Sequence, residues 1–280
     1  MQTPRHPSRG AGMAGKLLKS SGVIWFLTAM IGQVAFIHFI VVYYGGRTVS
    51  GNYAGWNDKP IIKGFVEGDG PGNVMFALHV LLAAVITLGG LMQLTPPLRQ
   101  RFPALHRWNG RLFMLLAVFM ALGGIWLVWV RDTRLSDASA WPTTINGLLI
   151  LVFAAFALRF AVARRIDEHR RWAMRLFMAV NGVWFFRVMI MAWIIVNQGP
   201  RWNNATLSGP ADLALSYGSF VVPLLGLELY FAATGSQSGL RKALTAIFVL
   251  VMTVLMALGI FGTITFMWGP YLGSGLITSS

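Results

Sequence analysis

The sequence predicts an all-α protein that crosses a membrane with seven helices. Of its 280 residues, 56% are hydrophobic, and they are gathered into seven runs of 20 residues or more. A helix rises about 1.5 Å per residue, so roughly 20 apolar residues cross the ~30 Å hydrocarbon core of a bilayer. Because lipid offers backbone amides no partner, each run must pair its own amides as a helix. The basic residues between the runs then predict on which side each helix starts.

The predicted helices follow one another with short connections. Their approximate bounds are Gly22–Tyr43, Val74–Thr95, Arg111–Val130, Trp141–Ala163, Trp172–Val196, Leu213–Ala233 and Ala243–Trp268. The first run follows a basic segment, as the apolar core of a signal peptide does. It is longer than such a core and no small-residue cleavage site follows it, so we interpret it as an anchor helix. The two longest loops, Tyr44–Asn73 and Asn197–Asp212, fall on the same side.

The loops differ in charge from one side of the predicted bundle to the other. One side has 16 Lys and Arg against two acids, and the other has six of each sign. The 16 are Arg5, Arg9, Lys16, Lys19, Arg99, Arg101, Arg107, Arg111, Arg159, Arg164, Arg165, Arg170, Arg171, Arg175, Arg241 and Lys242. Lys and Arg in short loops are retained in the cytoplasm, which predicts an inner N-terminus and an outer C-terminus. The net charge of +14 therefore indicates topology and anionic lipid as a partner, and not nucleic acid.

We predict one transmembrane domain over residues 16–270, with a disordered basic tail over 1–15 and a short outer tail over 271–280. The chain has no cysteine, which excludes disulfides, thiol catalysis and thiolate metal sites. It also lacks a Walker A loop, a Rossmann glycine fingerprint, H-E-x-x-H and G-x-S-x-G. The charge pattern is typical of a protein of the bacterial cytoplasmic membrane.

The third and fifth runs begin with the same tract. W-x-x-R-L-F-M occurs at 108–114 and again at 172–178, and a His precedes each Trp by two or three residues. Arg and Trp are common at membrane interfaces, which explains the residue types but not the shared order. Since both tracts enter from the predicted inner side, we favour a parallel duplication of a helical hairpin.

The same region resembles a family of bacterial multi-pass membrane proteins. The resemblance rests on His79, on residues 96–111 (PPLRQRFPALHRWNGR) and on residues 168–175 (EHRRWAMR). They match an intramembrane His, an H-R-W-x-G-R loop and a later H-x-x-W-M-x-R element. In this chain Ala173 follows the Trp of the later element, so that its Met comes one residue later than in the family pattern. The resemblance covers roughly residues 74–195 and implies a membrane location and a helical fold, without a particular activity. The H-R-W-x-G-R element is also similar to helix starts of cytochrome b561-like haem proteins, an analogy of fold alone.

Ionisable side chains inside a bilayer are candidates for function, because each costs several kcal/mol there. The predicted helices contain four of them, His38, His79, Arg187 and Glu228. By helical rise, His38 and His79 lie roughly 8 Å below the outer hydrocarbon boundary and Arg187 about 13 Å below it, level with Asn146. Glu228 lies near the inner end of its helix. We expect His38, His79 and Arg187 to converge in one outer polar cavity.

The histidines also pair by depth, which suggests haem. His38 and His79 are level on the outer side, and His106 and His169 are level at the inner face. Two stacked pairs on different helices suit two b-type haems that carry electrons across the membrane. In this hypothesis His38 and His79 ligate a haem iron, Arg187 neutralises a propionate, and a quinone or membrane redox protein is the partner.

Simpler interpretations stand beside these assignments. His106 and His169 fall in arginine-rich loops, where a His commonly contacts water or lipid headgroups. His38 can serve an interhelical hydrogen bond alone, and Arg187 can snorkel or pair with Asn146.

Two other functions stay open beside electron transfer. The first is a transporter or proton-coupled permease whose polar site consists of His79, Asn146 and Arg187; a buried Arg suits an anionic substrate, and His titrates near neutrality. The second is an accessory subunit of a larger membrane complex, with no chemistry of its own.

Overall fold

The computed structural model describes residues 9–59, 61 and 63–272, and over these residues it contains helices and no strand. Its long helices are α1 (Arg9–Phe39), α2 (Gly70–Leu94), α3 (Pro103–Trp129), α4 (Asp137–Val162), α5 (Ile166–Val180), α6 (Gly182–Val196), α7 (Pro210–Thr234) and α8 (Gly239–Gly262). Short helical segments are Ile40–Gly45 and Gly46–Val49 after α1, Ala54–Asp58, Pro96–Arg101, and Thr263–Trp268 with Gly269–Leu272 after α8. Residues 9–15 of the expected N-terminal tail belong to α1, while 1–8 and 273–280 lie outside the described residues.

Six segments are individually long and apolar enough to cross a membrane. They are Gly12–Val49, Gly70–Leu94, Pro103–Trp129, Asp137–Val162, Pro210–Thr234 and Gly239–Leu272. Large apolar side chains such as Leu115 and Val254 are about two-thirds exposed on the bundle surface, where lipid covers them. The protein is therefore an all-α, multi-pass membrane protein, as the sequence predicts.

The fifth predicted helix is not continuous. The run predicted as one helix over Trp172–Val196 is divided at Asn181 into α5 and α6, which meet at 53°. Asn146 of α4 fills the break, because its Nδ2 donates a hydrogen bond of 3.0 Å to the carbonyl of Ala179. Gly182 makes room for that amide, since a Cβ there would lie 2.6 Å from the Asn146 Nδ2. The apolar run alone could not reveal a bend that depends on a side chain of another helix.

The bent pair nevertheless passes from one side of the bundle to the other. Only three residues separate the end of α4 from the start of α5. The loop after α6 returns to the opposite end of α4, where the Ser136 Oγ donates to the carbonyl of Thr206 at 3.2 Å. We call the side with the α2–α3, α4–α5 and α7–α8 connections the arginine-rich face, and the other side the long-loop face. Together α5 and α6 form one span, which brings the number of spans to seven.

Short polar residues fix where helices begin on the long-loop face. Asp69 caps α2 by accepting a hydrogen bond from the Gly72 amide at 2.9 Å. Ser136 caps α4 by accepting one from the Ser139 amide at 3.1 Å. Such caps satisfy amides that the first helical turn leaves without a partner, and each contributes about 1 kcal/mol. The loop residues thus set the register at which each span enters the membrane.

Glycines allow the helices at the centre of the bundle to approach closely. α1 packs along α8, and α8 packs along α6. A Cβ on Gly32 of α1 would lie 2.7 Å from side-chain atoms of Ile260 and Trp184. A Cβ on Gly259 of α8 would overlap the backbone carbonyl of Val188 in α6. Since lipid is as apolar as the core, such close packing is a main source of stability between membrane helices.

The predicted orientation can be measured with reporter fusions. A reporter that is active only outside the cytoplasm should be active when fused after Gly55 and silent when fused after Gln100, because the second position lies on the arginine-rich face. As the control, the two fusion proteins must be expressed at equal levels. The reverse pattern of activity would contradict the inner N-terminus.

Candidate functional site

A cavity of about 2380 Å³ extends from the arginine-rich face into the bundle. Its walls are mainly apolar and include Leu94, Phe113, Met114, Met174 and Phe177. The residues at its mouth are mostly basic and include Arg99, Arg107, Arg111, Arg170 and Arg171. The cavity therefore suits an amphipathic molecule with an apolar body and an anionic end.

Two of the predicted ligand residues meet in this cavity. His106 lies in the first turn of α3 and His169 in the first turn of α5, so both belong to helices rather than to the loops expected from sequence. Both line the cavity, and they lie within electrostatic range of each other. The Nδ1 of His169 is 2.9 Å from the carbonyl oxygen of Ala157, which can only accept, so Nδ1 carries the proton. In the neutral imidazole, the lone pair is then on Nε2.

His106 has a different environment from His169. Its backbone carbonyl accepts a hydrogen bond of 2.9 Å from the Gln93 side chain, which ties the start of α3 to the end of α2. Its Nδ1 is buried and has no hydrogen-bond partner in the described part of the chain. Buried polar atoms are nearly always paired, so this unpaired nitrogen sets His106 apart from His169.

The repeated tract forms the same contact in both helices. In α3 the Arg111 guanidinium lies 4.7 Å from the Trp108 ring, and in α5 that of Arg175 lies 4.5 Å from the Trp172 ring. The Nε of Arg175 also donates to the Glu228 carboxylate at 2.7 Å. Glu228 is therefore half of an ion pair at the arginine-rich side of the bundle.

Arg187 lies on α6, nearer the long-loop face. Its Nη1 donates to the backbone carbonyl of Val183 at 2.9 Å, and its guanidinium carbon lies 5.7 Å from the centre of the Phe36 ring. None of the ion pairs found among the described residues includes Arg187. An intramembrane cation without a carboxylate partner is costly, so this position is a second candidate site.

Lys59 approaches Arg187 from the loop, although nothing in the sequence singles it out. Its ammonium lies 4.7 Å from the centre of the Phe39 ring and 5.8 Å from that of Tyr271. Burial, with the charge of Arg187 as a second cause, lowers the pKa of Lys59 to about 7. A Lys in a polar loop is ordinarily solvated, and only the folding of this loop over the end of α1 buries it.

His79 is the other group near Arg187. It packs against two adjacent glycines of α3, since a Cβ on Gly124 would lie 3.2 Å from its Cε1 and one on Gly123 3.7 Å from its Nδ1. This Nδ1 is buried without a hydrogen-bond partner among the described residues. Arg187 lies within electrostatic range of the ring. The structure thus brings His79 and Arg187 into one region, as the sequence predicts.

The structure does not bring His38 to that region. His38 is exposed on the surface of α1, while the next residue, Phe39, and then Tyr43 are fully or almost fully buried. Successive residues of a helix are about 100° apart, so a helix that buries Phe39 and Tyr43 turns His38 outwards. The arrangement expected from sequence, with His38 facing His79 across one interior cavity, is therefore not found.

Two buried amides complete the polar interior. The Nδ2 of Asn146 is committed to the Ala179 carbonyl at the α5–α6 break, so this residue shapes the bundle. Gln33 of α1 is fully buried, and neither of its amide atoms has a hydrogen-bond partner in the described residues. Gln33 is not among the predicted site residues, although a lone amide within an apolar run is the signal that could have identified it.

A comparison with protein families places this arrangement in context. Residues 76–230 match a family described as "Predicted membrane protein (DUF2306)". The matched segment runs from the second turn of α2 into α7 and contains His79, His106, His169 and Arg187. No curated protein and no solved structure matches the chain. Because the match covers more than half of the chain, the protein belongs to the DUF2306 family of membrane proteins.

Proposed function

We propose that the protein binds one b-type haem at the arginine-rich face, between His106 and His169, and exchanges electrons there with a membrane redox partner. The observation that carries this proposal is the meeting of these two imidazoles, 63 residues apart in sequence, at the mouth of a large apolar cavity. A haem held by two histidines would need their imidazoles on separate elements that face a common space.

The protonation pattern of the two rings fits ligation. A ligating imidazole usually donates its other ring N–H to a carbonyl or carboxylate, which fixes the tautomer and the ring plane. His169 has this arrangement through its Nδ1 and the Ala157 carbonyl. His106 departs from this arrangement, because its Nδ1 is buried with no hydrogen-bond partner among the described residues. The fit is thus stronger for His169 than for His106.

The walls and the mouth of the cavity fit the rest of the group. Apolar side chains such as Phe113 and Phe177 would contact a porphyrin body, and Gly90 is close enough to both that a Cβ there would lie 3.1 Å and 3.0 Å from them. Arginines at the mouth, among them Arg99, can pair with propionates by charge-assisted hydrogen bonds. The residues present therefore suit an amphipathic macrocycle with its acidic edge at the membrane surface.

The residues of this chain would position and tune the group. A bound b-type haem supplies reversible one-electron transfer. The hydrogen bond from His169 to Ala157 fixes one imidazole, and the bond from Gln93 to the carbonyl of His106 fixes the start of the helix that carries the other. The apolar part of the cavity beyond the histidines excludes water and offers space for a lipid-soluble redox partner, such as a quinone.

An absorption spectrum of the purified full-length protein tests the proposal. We expect a Soret band, and sharp α-band absorption after reduction. His169→Ala should abolish both bands, and His106→Ala should abolish or strongly reduce them. His38→Ala is the matched control, because this exposed imidazole lies outside the cavity, and it should leave the spectrum unchanged.

The decisive outcome is colour in the wild-type protein. A colourless preparation, after expression with ample haem, would overturn the proposal. Equal loss of colour in His38→Ala would also overturn it, provided that size-exclusion chromatography shows all three variants to be folded.

A further inference from the structure

Arg187 and Lys59 bring two positive charges together near the long-loop face, and neither forms an ion pair among the described residues; we propose that they form a binding site for an oxyanion. The ligand is a sulfate- or phosphate-type group, taken either free from solution or as part of a lipid headgroup. Neither residue lines the cavity that contains His106 and His169. The site is therefore separate from the haem proposal and does not depend on it.

The first argument is the unused hydrogen-bonding capacity of Arg187. A guanidinium has five N–H donors and no acceptor. In the described part of the chain Arg187 makes one hydrogen bond, from Nη1 to the carbonyl of Val183. The remaining donors lie within a transmembrane helix, where water is scarce and an uncompensated charge is expensive. An anion that accepts hydrogen bonds from two of these donors would supply the partners and the negative charge that Arg187 lacks.

The second argument is that acidic residues of the long-loop face pair with other cations. Four aspartates on this face form ion pairs with arginines other than Arg187. These pairs are Asp58 with Arg47, Asp69 with Arg131, and both Asp132 and Asp137 with Arg134. In one of these pairs the hydrogen bond from Arg131 lowers the pKa of Asp69. None of the four carboxylates forms an ion pair with Arg187.

The third argument is the position of Lys59. Its side chain is partly buried over the Phe39 and Tyr271 rings, on the loop that covers this end of α1. Lys59 lies over the Phe39 ring, and Arg187 lies over the Phe36 ring. Both rings stack on Trp268, so the two cations belong to one aromatic cluster. There they lie within electrostatic range of each other, and Tyr44 lies within the same range of Arg187 as a further hydroxyl donor. Since the loop also reaches the aqueous side, an anion can enter from there. An anion bound to both cations would replace their repulsion with attraction.

The charge of Lys59 gives the site a pH dependence. Lys59 is flanked by Arg187 of α6, by Tyr43 and Tyr44 at the end of α1, by Tyr271 after α8, and by the Asp58–Arg47 pair of its own loop. With a pKa of about 7, Lys59 is mostly charged at pH 6 and mostly neutral at pH 8. The charged fraction falls about tenfold between these values. Anion affinity should therefore be higher at pH 6.

The test is a calorimetric titration of the full-length protein with sodium sulfate, whose charge does not change between pH 6 and pH 8. In nanodiscs of phosphatidylcholine we expect saturable binding that is about tenfold weaker at pH 8. Lys59→Gln should weaken binding at pH 6 and remove the pH dependence. Arg187→Gln should abolish binding. Lys63→Gln is the control, because this exposed cation of the same loop should not matter.

A second arm distinguishes the source of the anion. Native mass spectrometry of protein from phosphatidylglycerol nanodiscs should show retained lipid in Lys63→Gln and less in Lys59→Gln if the ligand is a headgroup. Saturable sulfate binding, or phosphatidylglycerol retention that depends on Lys59, supports the proposal. Absence of both overturns it, as does binding that neither Lys59→Gln nor Arg187→Gln changes. Because Lys59 lies outside the spans, we expect Lys59→Gln to fold. This variant therefore tests the proposal even if Arg187→Gln does not fold.

Discussion

Gly259→Ala should strongly destabilise the protein, although it adds a single methyl group. The new Cβ would overlap the backbone carbonyl oxygen of Val188, and a backbone atom of a packed helix cannot rotate away. α8 and α6 would have to separate, and overpacking of this kind costs about 1–3 kcal/mol or more. Because Val188 follows Arg187 directly, the shift would also disturb the proposed anion site. We expect a marked fall in Tm, measured by size-exclusion chromatography of heated detergent-solubilised protein.

Gly226→Ala is the matched control for this prediction. Gly226 also lies within a spanning helix, but a Cβ there would meet only the Phe248 ring, at the ordinary contact distance of 3.5 Å. It should leave Tm almost unchanged. An equal fall in both variants would mean that any added methyl is harmful in these helices, and that the contact between α8 and α6 has no special role.

The number and class of the helices could be predicted from sequence because they depend on local quantities. Run length and apolar content are properties of each segment, and they identify the segment from Gly70 to Leu94 as readily as the later ones. The division at Asn181 could not be predicted in the same way. It depends on Asn146, an amide of another helix that donates a hydrogen bond to the carbonyl of Ala179. A hydropathy pattern contains no information about such a partner.

For the candidate sites, too, local properties of a segment could be predicted from sequence, but its contacts with other segments could not. Depth along a helix predicted that His106 and His169 would be level, and their helices do bring them together. Depth also made His38 and His79 level, yet His38 faces outwards, because depth does not fix the direction around a helix axis. Lys59 could not be found from depth at all, since it reaches Arg187 through the path of a loop. Depth can therefore be predicted from sequence, whereas the direction around a helix axis and the path of a loop cannot.

The loop that follows α6 depends on one buried carboxylate. Asp212, in the first turn of α7, is fully buried and accepts three hydrogen bonds. The donors are the side chain of Asn203 at 2.6 Å, the amide of Asn204 at 2.8 Å and the amide of Gly209 at 3.1 Å. This one side chain both caps a spanning helix and holds the loop that connects it to α6. We therefore expect the loop to be far more sensitive to Asp212 than its polar composition suggests.

Asp212→Ala should accordingly lower the free energy of unfolding by about 3 kcal/mol or more, because each donor left unpaired costs about 1–3 kcal/mol. The measurement is the Tm of detergent-solubilised protein, together with protease cleavage in the loop between α6 and α7. Asp137→Ala is the control: Asp137 also lies in the first turn of a spanning helix, but its ion pair with Arg134 is exposed and should contribute little. Similar Tm values for the two variants would contradict the structural role of Asp212. Rapid cleavage of the loop in Asp212→Ala alone would show that one buried carboxylate holds this loop against the start of α7.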